Sequence, residues 1–306
     1  MTTGVTVSVP AKVNVQLAVG PLRPDGFHDL ANVFFAVGLH DRVTAAPAET
    51  LRITCSGPGA ELVPLDEGNL AARAAALLAA RHGHPPAVHL HIDKDIPVAG
   101  GMAGGSADAA GALLACDALW GTGADREELL GLAAELGSDV PFSLLGGAAL
   151  GRGRGERLTP LPVAGRFHWV FALADGGLST PEVYRECDRL RGGEPAASRV
   201  PEPAPAPALL AALAGGDPAA LAAAIAASGN DLQPAALSLR PALRRTLDAG
   251  LAAGALAGIV SGSGPTCAFL VKDTAAGHTL AQVLEASGTC RAARATTGPA
   301  PGAHIV

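Results

Sequence analysis

The chain has 306 residues, enough for two domains with cores of their own, and its 49% hydrophobic against 16% charged content excludes an intrinsically disordered polymer. A net charge of −6 excludes the broad basic surface of a nucleic-acid binder. Five cysteines, an odd number without a C-x-x-C pair, argue against a disulfide framework and a structural zinc site and read as reduced thiols.

The opening Met1-Thr2-Thr3-Gly4 has neither the basic flank nor the apolar core of a secretory leader, so a cytoplasmic location is expected. Val5-x-Val7-x-Val9 and, after Pro10, Val13-x-Val15-x-Leu17-x-Val19 alternate with the period of half-buried strands. Pro21 to Gly26 reads as a turn and Leu30 to Val43 as further strand. Asn69 is placed to cap an alanine-rich helix running to about Arg81, closed by Gly83 and Pro85-Pro86. Alanine dominates the apolar content, so close packing of small residues is expected to replace part of what aromatics do elsewhere.

Val88-x-Leu90-x-Ile92 is a strand that delivers the chain into Lys94-Asp95-Ile96-Pro97 and a glycine run. A helix follows from Ser106 through Leu113, Leu114 and Leu119 to the break at Gly121 to Asp125; a second, Arg126 to Leu136, ends at Gly137. Around Gly151 to Gly155 the texture loosens, and Gly192 to Pro207 is so rich in Pro, Ala and Glu that a surface loop or mobile connection is expected over 192–207. The most apolar stretch, Ala208 to Ala227, is broken by Gly215-Gly216-Asp217-Pro218 well before the ~20 residues of a membrane span and reads as two short helices, so no membrane partner is expected. Ala255 to Ser261, a glycine turn at Gly262-Ser263-Gly264, a strand Thr266 to Val271, a helix Thr274 to Ala286 and a strand Cys290 to Thr296 complete a second α+β unit.

Four constellations stand out. In Pro97 to Ala110, glycines let backbone N–H groups approach an anion and the helix N-terminus adds a positive dipole end; the alternative is a turn that only packs helix on sheet. The spacing is not that of a Walker loop, because Gly100-x4-Gly105 is followed by Ser106 in place of lysine. Lys12, at Pro10-Ala11-Lys12-Val13-Asn14, is either a solvated strand lysine or a cation aimed into a site. In Gly137-Ser138-Asp139-Val140-Pro141, Asp139 or Ser138 is either a helix cap or a functional carboxylate or hydroxyl. Ser261-Gly262-Ser263-Gly264-Pro265-Thr266 is either a tight connection or a backbone surface closing over a ligand. Only three of the 22 basic residues are lysines, Lys12, Lys94 and Lys272, which suggests that a compact point charge is wanted where lysine stands. His89 and His91 share one strand face and read as surface residues before metal ligands.

Taken together and in this order, these segments resemble the GHMP kinases, and within them a branch acting on a cytidine diphosphate sugar alcohol. Arg23 to His28, Leu178 to Tyr184 and Gly229-Asn230-Asp231-Leu232 carry the resemblance beyond the glycine loops, so it spans nearly the whole chain. It implies an α+β, two-domain GHMP kinase fold: a ribosomal-protein-S5-domain-2-like unit over residues 1–155 and a ferredoxin-like unit over 156–306. It implies ATP and Mg²⁺ as cofactors, transfer of the γ-phosphoryl to the 2-hydroxyl of the substrate in isoprenoid precursor synthesis, and an oligomeric state left open. By the same resemblance Lys12 and Asp139 are catalytic, while Lys94, Pro97, Val98, Ala99, Gly100, Gly101, Met102, Ala103, Gly104, Gly105, Ser106 and Ala107 hold ATP. Asn14, Phe27, His28, Thr180, Tyr184, Ser263 and Gly264 hold the substrate, with Ser106 as the one candidate protein ligand for the metal. Phe27 stands where tyrosine is common, Ala99 and Ala103 replace loop glycines, and Ala107-Asp108 replace Ser-Asn. The rival readings are a GHMP kinase for mevalonate or homoserine and a catalytically silent nucleotide-binding protein on the same fold.

Overall fold

The computed structural model describes residues 4–98, 100–192 and 200–306. The long alternating stretch at the start is one strand, β1 (Val5–Leu22), paired antiparallel along most of its length with β2 (His28–Pro47). Register shifts at Pro10/Ala11 and between Asn14 and Gln16 bend this ribbon where Lys12 and Asn14 stand. Both faces of β1 are covered: Val7, Val9, Val13 and Val15 enter the main core, and Ser8, Lys12, Asn14 and Gln16 are buried on the other side.

Strand β3 (Arg52–Ser56) lies parallel to β4 (Val88–Asp93), with α1 (Leu70–Arg81) as the crossover between them. Asn69 caps α1 by accepting the Ala71 N–H at 2.8 Å. His89 and His91 bond to the Thr54 and Ser56 hydroxyls of the neighbouring strand. Helix α2 (Gly104–Trp120) lies on the sheet, α3 (Arg126–Leu136) packs on α1 and α2, and the short α4 (Val140–Leu145) lies between α2, α3 and β1. Small residues set how closely α2 sits: a Cβ on Gly111 would lie 2.8 Å from Val43 Cγ2 and 2.9 Å from Val9 Cγ2.

The region of loose texture is a hairpin, β5 (Ala148–Arg152) with β6 (Arg157–Pro160), and β5 pairs with β2. Its composition concealed it because Gly151 sits where the Phe34 ring leaves no room for a side chain, a Cβ there falling 2.6 Å from Cε2. Strand β7 (Phe167–Leu173), also absent from the sequence reading, is the centre of a second, antiparallel sheet. After α5 (Thr180–Leu190), α6 (Pro207–Gly215), α7 (Pro218–Ser228), α8 (Gln233–Leu239) and α9 (Ala242–Ala252) come β8 (Ala257–Val260), β9 (Cys267–Val271), α10 (Thr274–Ala286) and β10 (Ala292–Gly298). The order in that sheet is β10-β7-β9-β8. The last strand, β11 (His304–Ile305), returns to pair with β1, so the first sheet draws on both ends of the chain and residue 155 falls within the β5–β6 turn. Phe35 meets Phe167 edge to face, centroids 5.8 Å apart, and packs against Trp169, joining the two sheets in one core.

Of the connection expected to be mobile, residues 193–199 lie outside the described residues. The described remainder is fastened: Gln16 donates to the Ala204 carbonyl at 3.1 Å and accepts the Ala206 N–H at 2.9 Å, and Pro207 already begins α6.

Candidate active site

The glycine run leaves β4, turns, and becomes the N-terminus of α2. Gly101 has φ +72 and Ala103 φ +62, the latter a left-handed conformation that L side chains rarely adopt. Ala103 is the N-cap of α2 and no side chain caps that end, so the first-turn N–H groups of Gly104, Gly105 and Ser106, residues that line the cavity, are left without a capping partner. Free N–H groups at a helix N-terminus are the chemistry that suits an anion. Gly101 is held from behind by the second glycine turn: a Cβ there would lie 2.8 Å from both the Ser261 and Gly264 carbonyl oxygens. The two glycine segments, 160 residues apart, are therefore packed backbone to backbone.

Lys12 projects from the bend of β1 to the floor of the same cavity. Its ammonium donates to Asn14 Oδ1 at 2.7 Å and to the Gly101 carbonyl at 3.1 Å, and lies 3.4 Å from Asp139 Oδ2. Asn14 in turn donates to Asn32 Oδ1 at 2.8 Å. Asp139 occupies the N-cap position of α4, yet its side chain makes no capping bond there. The helix-cap reading is thereby excluded for the side chain, which instead faces Lys12 from across the site.

The far end of the cavity, about 810 Å³ in all, is walled by Phe27, His28, Thr180 and Tyr184. Asp25 accepts the Phe27 N–H and Arg23 N–H bonds the Phe27 carbonyl, a closed turn that leaves Phe27 47% exposed at the mouth, under the Arg154 guanidinium at 5.0 Å. His28 and Tyr184 stack with centroids 5.2 Å apart. The Asp188 carboxylate lies 2.9 Å from His28 Nε2, and burial pushes the Tyr184 hydroxyl above its ordinary pKa. Thr180 and Ser263 hydroxyls are 2.9 Å apart, linking α5 to the second glycine turn.

Several expected ligands do not reach the cavity. Lys94 is turned away beneath the loop, its ammonium held by Asp41 at 2.5 Å and Asp108 at 2.7 Å with its side chain only 2% exposed, so it supplies no free cation to ATP. Met102 and Ala107 are fully buried in the core, and Pro97 and Val98 are half-buried outside the cavity lining. Ala99 lies outside the described residues. Gly264 packs against Val260 and the Gly101 backbone; Gly262, its neighbour but one, lines the cavity in its place. Sequence reasoning missed Asn32, Asp188 and Arg154. The first two have no local signal because each acts through a partner on another strand or helix, whereas Arg154 was visible inside a glycine-rich turn that read as loose.

Residues 69–147 match the model of the GHMP kinases N terminal domain, and residues 209–289 that of the GHMP kinases C terminal domain. A 4-diphosphocytidyl-2-C-methyl-D-erythritol kinase of Streptomyces avermitilis is 71% identical over 302 residues, covering 99% of each chain. A crystal structure of 4-(cytidine 5'-diphospho)-2C-methyl-D-erythritol kinase superposes with a TM-score of 0.76 at 34% identity over 95% of this chain and 98% of that one. A homoserine kinase from Cytophaga hutchinsonii shares the fold, with a TM-score of 0.75 at 21% identity over 100% of this chain and 98% of its own. An uncapped helix N-terminus on the cavity, a lysine and carboxylate converging beside it, and full-length likeness to such enzymes lead to one conclusion: the chain belongs to the GHMP kinase family and is a small-molecule kinase.

Proposed function

We propose that the protein transfers the γ-phosphoryl group of ATP to the 2-hydroxyl of 4-diphosphocytidyl-2-C-methyl-D-erythritol, a step toward isoprenoid precursors in the cytoplasm. The observation that carries this reading is the meeting of Lys12 and Asp139 between two unlike ends of one cavity, 3.4 Å apart. One end is a cradle of N–H groups suited to phosphates. The other is an aromatic and imidazole wall suited to a pyrimidine base. All five cysteines are unpaired, which supports a reducing compartment.

Phosphoryl transfer through a loose transition state asks for positioning and charge stabilisation more than for covalent chemistry. The N–H groups of Gly104, Gly105 and Ser106 would hold the donor phosphates. Asp139 would orient the acceptor hydroxyl and take its proton at Oδ1 or Oδ2. The three acceptors around the Lys12 ammonium, Asn14 Oδ1, the Gly101 carbonyl and Asp139, fix it between donor loop and acceptor. Phe27 and Tyr184 would stack on the cytosine, with His28, Thr180 and Ser263 supplying polar contacts and Asp188 fixing the imidazole.

Among the described residues no three His, Cys, Asp or Glu side chains gather to cage a metal. That donor set fits Mg²⁺ held mainly by phosphate oxygens, with the Ser106 hydroxyl as the protein contribution on the loop. When bound, Mg²⁺ would neutralise charge between the transferring and remaining phosphates. The test is ATP consumption by the purified protein with the cytidine substrate offered beside mevalonate and homoserine. Turnover of the first alone is expected; turnover of either of the others at a comparable kcat/KM would overturn the assignment.

A further inference from the structure

Beneath the glycine loop, on the side away from the cavity, lies a buried charged cluster that the chemistry above does not use. Lys94 donates to Asp41 Oδ2 and Asp108 Oδ2, all three side chains being at most 4% exposed. The cluster joins the strand β2, the segment just ahead of the loop and the first turns of α2. Asp41 is fully committed, since its Oδ1 also accepts the N–H groups of Asp95 at 2.7 Å and Ile96 at 2.8 Å. Asp108 is not: its Oδ1 is buried without a hydrogen-bond partner among the described residues. The other end of the loop touches the same cluster, because a Cβ on Gly104 would lie 3.2 Å from the Lys94 ammonium.

The Lys94 ammonium thus has two side-chain acceptors, while Asp108 receives, among the described residues, from Lys94 alone. The buried face of α1 contributes Ala71, Ala72, Ala74, Ala75, Leu78 and Ala79 and no charge.

We propose that Asp108 is a positioning residue for the phosphoryl donor. Through Lys94 and Asp41 it fixes both ends of the glycine loop, Asp95–Ile96 at one and Gly104 at the other, in the conformation that presents N–H groups to phosphate. The inference rests on the reading of that loop as the ATP site. Without the Asp108 acceptor the Lys94 ammonium keeps one side-chain partner and is no longer held against the Gly104 end of the loop.

The experiment measures ATP binding to the full chain by calorimetry, without acceptor, for the wild type, Asp108→Leu, Asp108→Ala and Asp108→Asn, with KM for both substrates alongside. Asp108→Leu, which leaves Lys94 one partner short, is expected to weaken ATP binding about 10- to 100-fold while KM for the alcohol changes less than about twofold. Asp108→Asn, which keeps the shape and one acceptor, should bind within about threefold of the wild type. Wild-type ATP affinity in Asp108→Leu, or parallel loss for both substrates, would overturn the proposal. So would equal ATP affinity in Asp108→Ala, which removes the acceptor, and Asp108→Asn, which keeps one, and this comparison decides the matter where Asp108→Leu fails to fold. A wild-type protein that does not bind ATP would instead overturn the assignment of the loop.

Discussion

Two buried lysines stand against the same glycine loop, and their surroundings separate what each can do. Lys12 lies on the cavity floor, 6% exposed at the side chain, with two neutral oxygens and the partly exposed Asp139 around it. Lys94 lies under the loop, 2% exposed, between two carboxylates that are themselves buried. The first is a cation whose charge is felt where substrate phosphate would sit. The second is consumed by its partners and holds structure. Burial and residue type are nearly the same, so it is the charge of the neighbours and the side of the loop that leave one open to the cavity and tie the other into the architecture.

The largest effect should come from the chemical side of this contrast. Asp139→Asn removes the proposed proton acceptor and should lower kcat by about 10²–10⁴ with ATP affinity nearly unchanged; a loss under tenfold in steady-state kinetics would remove Asp139 from the chemistry. Lys12→Arg should also fail, by about 10² in kcat/KM, because a planar fork cannot meet three acceptors that converge on one point. Full activity in that variant would mean that charge alone suffices.

Next comes the architectural side. Lys94→Met strands two buried carboxylates and should cost about 3–5 kcal/mol in denaturant unfolding, whereas Lys12→Met should cost less than about 2 kcal/mol while losing activity. If the two variants were equally stable, the contrast drawn between these lysines would collapse.

A smaller effect is predicted with pH. The Asp108 carboxyl is raised in the folded protein from 3.8 to about 7, so the folded state holds that proton more tightly than the unfolded one. Stability from this group is present below the unfolded value and is lost as pH rises through the folded one, by on the order of a few kcal/mol at most. Thermal unfolding of the wild type compared with Asp108→Asn should show their difference shrinking or reversing between about pH 5 and about pH 8; a constant difference would refute it. The smallest expectation concerns Ala103 at φ +62. Ala103→Gly relieves the left-handed strain and should raise stability by about 0.5–1 kcal/mol, which a destabilised variant would contradict.

Much of this was legible in the chain. The Asn69 cap, the helices ending at Arg81 and Leu136 and beginning at Thr274, and the strand at Val88 follow from local propensity, capping and period, which act over a few residues. The hairpin at 148–160 and β7 were not legible. Glycines in the first serve close packing against Phe34, and the second is an apolar run whose partners, β9 and β10, are about 100 residues further on.

Among site residues the division is the same. The sequence by itself determined that a glycine loop at a helix N-terminus, a strand lysine and a post-helix aspartate exist, because glycine freedom and helix ends are local physics. Only the tertiary structure decided that Lys12 and not Lys94 faces the cavity, that Asp139 leaves its cap unused, and that the glycine turn at 262–264 locks behind Gly101. Those outcomes depend on which charges and backbones meet across the fold, Lys94 with Asp41 over 53 residues of chain and Gly101 with Ser261 over 160, and no local pattern records such meetings.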